Sequence, residues 1–255
     1  MPGLSTTEAV LQMVGVLVHI AIGVAALAEA PRDERTRVFC ALAVMNGAGV
    51  AVPIAFWWLG ISDPMTGGRL PLAFMLASLA VATLLLFHLS QAFPRRRPWI
   101  RASGPQLPVA YLLTPAVVVL LVRMAPLQKE EATGAFMLLA IAFGFPIIVL
   151  NGLVLPIATI VGFIRSFREA PPSGGRPDAR PVIAGFLISM LVGTALAVLA
   201  LGPLEAIAPE SPATLVVTRA VWLLGLLMPA AYAAGVWHYR VLEIPIDSSV
   251  IVEPD

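Results

Sequence analysis

The stretch Leu84–Gly104, LLLFHLSQAFPRRRPWIRASG, passes from hydrocarbon to positive charge within a few residues. An apolar run ends at Phe93–Pro94. Arg95, Arg96 and Arg97 follow, then Pro98, Trp99 and Arg101. A helix that ends this way is leaving a membrane. Arginines collect on the cytoplasmic side of a bilayer, and tryptophan settles at headgroup depth. Arg95, Arg96, Arg97 and Trp99 are therefore read as interface anchors.

Composition extends that reading to the whole chain. Of 255 residues, 59% are hydrophobic and 12% charged, with a mean hydropathy of +0.91. Globular proteins carry about 25% charged residues. Too few polar side chains are present to cover a soluble core, so the solvent for most of the chain is lipid. A net charge of +1 excludes the basic field that nucleic acid requires. The single cysteine, Cys40, excludes an internal disulfide and a cysteine-built metal site.

A hydrocarbon core takes about 20 apolar residues per helix. Seven segments qualify: Ala9–Ala28, Val38–Leu59, Leu70–Phe93, Gln106–Ala125, Gly134–Ile164, Val182–Leu204 and Thr214–Trp237. The expected fold is an all-α, polytopic seven-helix transmembrane bundle over residues 1–244, with a short tail at 245–255. The fifth segment is too long for one upright span, and Gly144, Pro146, Gly152 and Pro156 predict kinks. The arginines alternate between ends. Arg32, Arg35 and Arg37 follow the first span; Arg95, Arg96, Arg97 and Arg101 the third; Arg165, Arg168, Arg176 and Arg180 the fifth; Arg240 the seventh. The positive-inside rule puts this end in the cytoplasm and the N-terminus outside. The first span has no Lys or Arg before it and three arginines after it, the reverse of a cleaved signal peptide.

Candidate sites are sparse. Arg123 and Arg219 lie inside apolar sequence, where an arginine faces the bundle interior or snorkels outward. Glu205 closes the span before Arg219, and Trp222 is one turn inward from it. With Trp57 at the outer end of the second span, these residues can line an outward-facing pocket for a small amphipathic or anionic ligand. Anchoring at the interface is the alternative. Asn46 and Asn151 fall at mid-helix and need partners in lipid, either across helices or on a ligand. His88 and His238 share a depth, which admits a bis-histidine haem as a third reading. Otherwise no metal or cofactor is expected. A retinal Schiff base is excluded because the only lysine, Lys129, is in a loop. No HExxH, GxSxG or Gly-rich phosphate loop is present, so no catalytic residue is assigned and no enzymatic activity is expected.

Three stretches carry a resemblance. FHLSQAFPRRRPWIR, with Phe87, His88, Phe93, Pro94 and Arg95–Arg97, resembles the third-helix exit in the N-terminal seven-helix module of bacterial sensor histidine kinases. PRDERTRVF is similar to that family's charged turn. LLMPAAYAAGVWHYRVLEIPI, with Tyr239-Arg240-Val241-Leu242, is similar to its last helix and exit. The resemblance implies a multi-pass inner-membrane protein acting in sensing or signal relay, with a protein partner in the membrane or at its cytoplasmic face. The family's kinase domain is absent from this sequence, so its catalysis does not carry over. A structural accessory subunit of a larger membrane complex is the rival from another class.

Overall fold

A computed structural model describes residues 6–59, 69–97, 100, 106–124, 134–170, 177–199 and 226–244. All regular structure among them is helical. Helices α1 (Thr6–Glu29), α2 (Glu34–Trp58), α3 (Arg69–Ala92) and α4 (Gln106–Met124) are uninterrupted. α5 covers residues 134–169 in alternating α and π turns. α6 is Arg180–Leu199. α7, residues 227–238, passes from an α-helical into a π turn and is followed by a 3₁₀ turn at Val241–Glu243. Among the described residues, four stretches are long and apolar enough to cross a membrane: Ala9–Glu29, Glu34–Phe56, Arg69–Ala92 and Phe136–Glu169.

α1, α2, α3, α5, α6 and α7 close a ring in which each packs on the next and α7 returns to α1. α4 lies outside it, against α3 and the first π turn of α5. Between apolar helices in lipid, packing rather than water exclusion drives association. At one end of the ring the packing is aromatic. Phe39 of α2, Phe93 after α3, Phe163 of α5, Phe186 of α6 and Tyr232 of α7 are all buried. Phe39 stacks on Tyr232 with ring centroids 3.6 Å apart. Phe186 meets Phe163 edge-on at 5.2 Å and Phe93 at 5.7 Å. Such pairs add about 0.5–1.5 kcal/mol each beyond their buried area.

The kinks expected in α5 take the form of two widened turns, Ala140–Gly144 and Leu150–Val154. Each ends two residues before a proline, Pro146 or Pro156. A proline cannot donate to the carbonyl four residues back and its ring crowds it. Those carbonyls belong to Ala142 and Gly152, both within the widened turns. The extra residue per turn therefore relieves the clash without breaking the helix. α2 starts a full turn earlier than its hydropathy suggests, at Glu34 rather than Val38, because Asp33 caps it. Asp33 Oδ1 accepts the Arg35 N–H at 2.8 Å, the usual N-cap bond.

Glycines mark close helix approach, most tightly at two positions. A Cβ on Gly162 of α5 would meet Gln91 Nε2 of α3 at 2.4 Å, and one on Gly185 of α6 would meet the Ala231 Cβ of α7 at 2.5 Å. Ala231 has no rotamer by which to retreat. Gly185→Ala is expected to cost about 1–3 kcal/mol by overpacking, seen as a lowered melting temperature in detergent. Gly152→Ala, whose added Cβ meets nothing within 4 Å, serves as the control. A melting temperature unchanged in Gly185→Ala would contradict the close α6–α7 seam.

Candidate functional site

The aromatic end of the ring carries a knot of charge. Its centre is Arg35, in the first turn of α2, with a side chain 1% exposed. All five guanidinium N–H groups have acceptors. Nε donates to Asp33 Oδ1 at 3.0 Å and Nη2 to Asp33 Oδ2 at 2.7 Å, the two-pronged pairing that fixes orientation as well as charge. Nη1 donates to the Pro94 carbonyl at 2.7 Å and to that of Val241 at 3.1 Å; Nη2 also reaches the Leu242 carbonyl at 3.2 Å. These carbonyls lie just beyond the ends of α3 and α7. Helix ends leave carbonyls without partners and carry partial negative charge, so one cation serves two helix exits. Thr36, fully buried, fastens the preceding turn by donating to the carbonyls of Ala30 (2.6 Å) and Asp33 (2.9 Å). At α7's exit, Arg240 adopts a left-handed backbone with φ of 52° and pairs with Glu243.

A second chain of polar groups runs beside the first. Glu34 Oε1 is 2.9 Å from His88 Nε2, and His88 Nδ1 is 2.6 Å from the Tyr111 hydroxyl of α4. A carboxylate only accepts, so Nε2 carries the proton, and in the neutral ring Nδ1 accepts from Tyr111. Glu34 Oε2 lies 3.0 Å from Arg96 Nε, an ion pair without the alignment of a hydrogen bond. The chain Tyr111–His88–Glu34–Arg96 thus links α4, α3, the start of α2 and the loop after α3. Further round the same end, Arg97 pairs with Glu169 at 3.3 Å and Arg165 with the same carboxylate at 2.7 Å. The Asp178 N–H donates to the Tyr239 carbonyl at 3.1 Å, joining the start of α6 to the exit of α7.

Of the residues read as headgroup anchors, Arg96 and Arg97 also pair with protein carboxylates, because the turn before α2 and the end of α5 present Glu34 and Glu169 to them. Arg95 is exposed, and Trp99 lies outside the described residues. His88 is held by a carboxylate and a phenol, so both ring nitrogens are occupied, whereas His238 is exposed beside Tyr239. Axial haem ligation would require His88 to abandon one of these partners.

The outward-facing candidates are not brought together. Arg219, Trp222 and Glu205 lie outside the described residues. The backbone of Trp57 ends within α2, and its side chain is outside the described set. Arg123 is exposed at the end of α4, where its carbonyl accepts from Arg69 Nη1 at 3.2 Å. Asn46 is exposed on α2. Asn151 bonds within its own helix, Nδ2 to the Ile147 carbonyl at 3.0 Å, and its Oδ1 is buried without a partner among the described residues. Among the described residues Asn151 thus makes a local bond in a widened turn rather than one across helices.

Asp33, Glu34, Arg35 and Tyr111 were not singled out from sequence. The available signal was the turn RDERTR, where two acids stand among three arginines; a turn built only to hold arginines against lipid has no use for them. No protein-family model, curated protein or solved structure matches the chain.

Removing the Arg35 side chain leaves a carboxylate and three carbonyls without their donor. Arg35→Ala is expected to destabilise the bundle by about 3–5 kcal/mol, as breaking one side of a buried ion pair does. Arg35→Lys should fall between, since an ammonium keeps the charge but cannot form the fork. Thermal unfolding in detergent measures both. An Arg35→Ala protein within about 0.5 kcal/mol of the parent would show that the clasp carries no weight.

Proposed function

We propose that the chain is a multi-pass protein of a bacterial inner membrane, with seven spans and its basic end in the cytoplasm. We propose further that it is a sensor or signal-relay module of the kind that precedes sensor histidine kinases, without catalysis of its own. Support for the topology comes from the basic end itself. The turn before α2, the exits of α3, α5 and α7, and the start of α6 are all tied to one another there, as odd-numbered spans running inward require.

The observation that carries the relay reading is the Arg35 clasp. One buried guanidinium holds the exit of the last helix to the exit of α3 and the start of α2. Any change in bundle packing that moves α2 against α3 therefore acts on the segment leaving α7, where a cytoplasmic partner would engage. The mechanism is a shift between a clasped and an unclasped packing. Hydrogen bonds to a charged group are worth about 1.5–3 kcal/mol each, so the unclasped state is scarce. Taking such an equilibrium from 1:99 to 99:1 requires about 10⁴-fold tighter ligand binding to the rare packing. The widened turns of α5 and the π turn of α7 are the places where helices can change register at low cost. The occupied nitrogens of His88 weigh against the haem reading.

An accessory subunit would not need a clasp on its last exit, and this separates the two remaining readings. Gentle co-purification from native membranes should recover a cytoplasmic or membrane partner with the parent protein and lose it with folded Arg35→Lys. Equal recovery of a stoichiometric complex with both would favour the accessory role. Topology is checked separately in a Cys40→Ser background. Gly175→Cys should resist an impermeant thiol reagent in intact cells and react after permeabilisation. Efficient labelling of intact cells would reverse the orientation.

A further inference from the structure

α4 stands outside the ring, and between it and the upper part of α5 lies a groove of about 110 Å³. Its lining is Val117, Leu120, Leu121 and Met124 of α4, with Leu139 and Phe143 of α5. Every lining side chain is apolar, so no ligand heteroatom would find a partner inside. Apolar protein cavities of about 150 Å³ take up benzene-sized molecules, so the groove has room for a stretch of hydrocarbon but not for a whole lipid. It is partly open: Leu120 is 53% and Phe143 52% exposed. Phe143 belongs to the first widened turn, and π turns recur at functional sites.

The groove has a charged end. Met124 closes it, and Arg123 is the adjoining residue, exposed at the end of α4. Arg69, at the start of α3, donates from Nη1 to the Arg123 carbonyl. Two arginines therefore stand at one end of an apolar slot, opposite the Arg35 clasp. Among the described residues no carboxylate is paired with either of them. A slot for hydrocarbon that ends beside two arginines matches one class of molecule, an amphiphile with an acyl chain and an anionic head.

We propose that this α4–α5 groove is a binding site for an anionic phospholipid of the surrounding leaflet, one acyl chain lying along Val117–Met124 and the phosphate held between Arg69 and Arg123. A leaflet lipid is favoured because, on the membrane-embedded reading, the half-exposed Leu120 and Phe143 face hydrocarbon and the ends of α3 and α4 that carry the arginines come at headgroup depth. The inference rests on the membrane-embedded reading and supplies a ligand class for the relay. α4 also carries Tyr111, about 20 Å from Met124 along the helix, and Tyr111 bonds His88. Occupation of the groove therefore bears on a helix tied through His88 to Glu34, the residue before Arg35.

The test is native mass spectrometry of the full chain in detergent, titrated with phosphatidylglycerol, with phosphatidylcholine of the same acyl chains, and with oleate. The parent should bind phosphatidylglycerol about tenfold more tightly than phosphatidylcholine, consistent with two surface arginines. Leu120→Trp, an exposed position whose indole fills the slot, should remove that binding. Arg123→Gln should shrink that preference to about threefold, and Arg69→Gln with Arg123→Gln should bring the two lipids to equal affinity. Should Leu120→Trp fail to fold, Phe143→Trp blocks the slot from the other wall. Unchanged phosphatidylglycerol binding in a folded slot-blocked variant, or equal binding of the two lipids by the parent, overturns the proposal. Oleate bound more tightly than phosphatidylglycerol, and lost in the same variants, overturns the phospholipid and identifies a free carboxylate as the occupant. Lipid discrimination is read without reference to the partner co-purified through the clasp, so the site and the relay reading fail independently.

Discussion

A guanidinium buried to 1% exposure is admissible only if each of its donors is met. Arg35 meets that condition with five acceptors from three separate parts of the chain. The consequence is geometric more than energetic. A buried ion pair adds little net stability over well-packed apolar residues, but it tolerates few alternative arrangements. Asp33 must cap α2 in the right turn, the chain must leave α3 with the Pro94 carbonyl facing inward, and the segment after α7 must bring two successive carbonyls to the same nitrogens. Each demand fixes the end of a helix, so the clasp sets the register of the basic end as a whole.

The aromatic cluster beneath it is matched to that role. Phe39 is one turn along α2 from Arg35, and Phe93 is the residue before Pro94, so the clasp and the cluster share the same backbone. Flat rings pack densely with few degrees of freedom, which suits a seam between helices that gain nothing from excluding water. Tyr232 adds a polar atom to this seam. Its hydroxyl is buried with no hydrogen-bond partner among the described residues, although the ring stacks on both Phe39 and Phe186. Away from the cluster the packing thins. The upper part of α5 is largely exposed, and among the described residues α4 packs chiefly on α3 and the first widened turn of α5. Among the described residues the helices are tied at one end, and toward the other α4 and α5 leave a groove.

The arginines of the basic end serve two purposes that hydropathy alone does not separate. Their number sets the expected orientation in the membrane. Their pairing is another matter: Arg35, Arg96, Arg97 and Arg165 are all engaged with carboxylates of the protein. Arg180 donates to the Ala170 carbonyl and lies over the Phe167 ring. Charges that anchor a bundle to lipid are interchangeable, whereas charges locked into protein partners are not. That distinction makes the basic end a candidate site and not merely a run of positive charge.

Apolar run length, the spacing of charged turns and the prolines of α5 were legible without coordinates, because each depends on residues close in sequence. Membrane-spanning helices need about 20 apolar neighbours in a row, and a proline disturbs the turn just before it. The three stretches that drew notice, around Asp33–Arg37, His88–Arg97 and Tyr239–Leu242, proved to be the ones that meet. What they do when they meet was not legible. Arg35 is 59 residues from Pro94 and 206 from Val241, and Glu34 is 54 from His88. Whether such residues touch depends on the rotation of each helix about its axis and on which helices are neighbours. In apolar sequences with little amphipathic bias, composition does not set that rotation; close packing does, through contacts such as Gly162 on Gln91 and Gly185 on Ala231. Asn46 illustrates the same limit. Its place at mid-helix was evident, yet only the packed bundle decided that it faces outward.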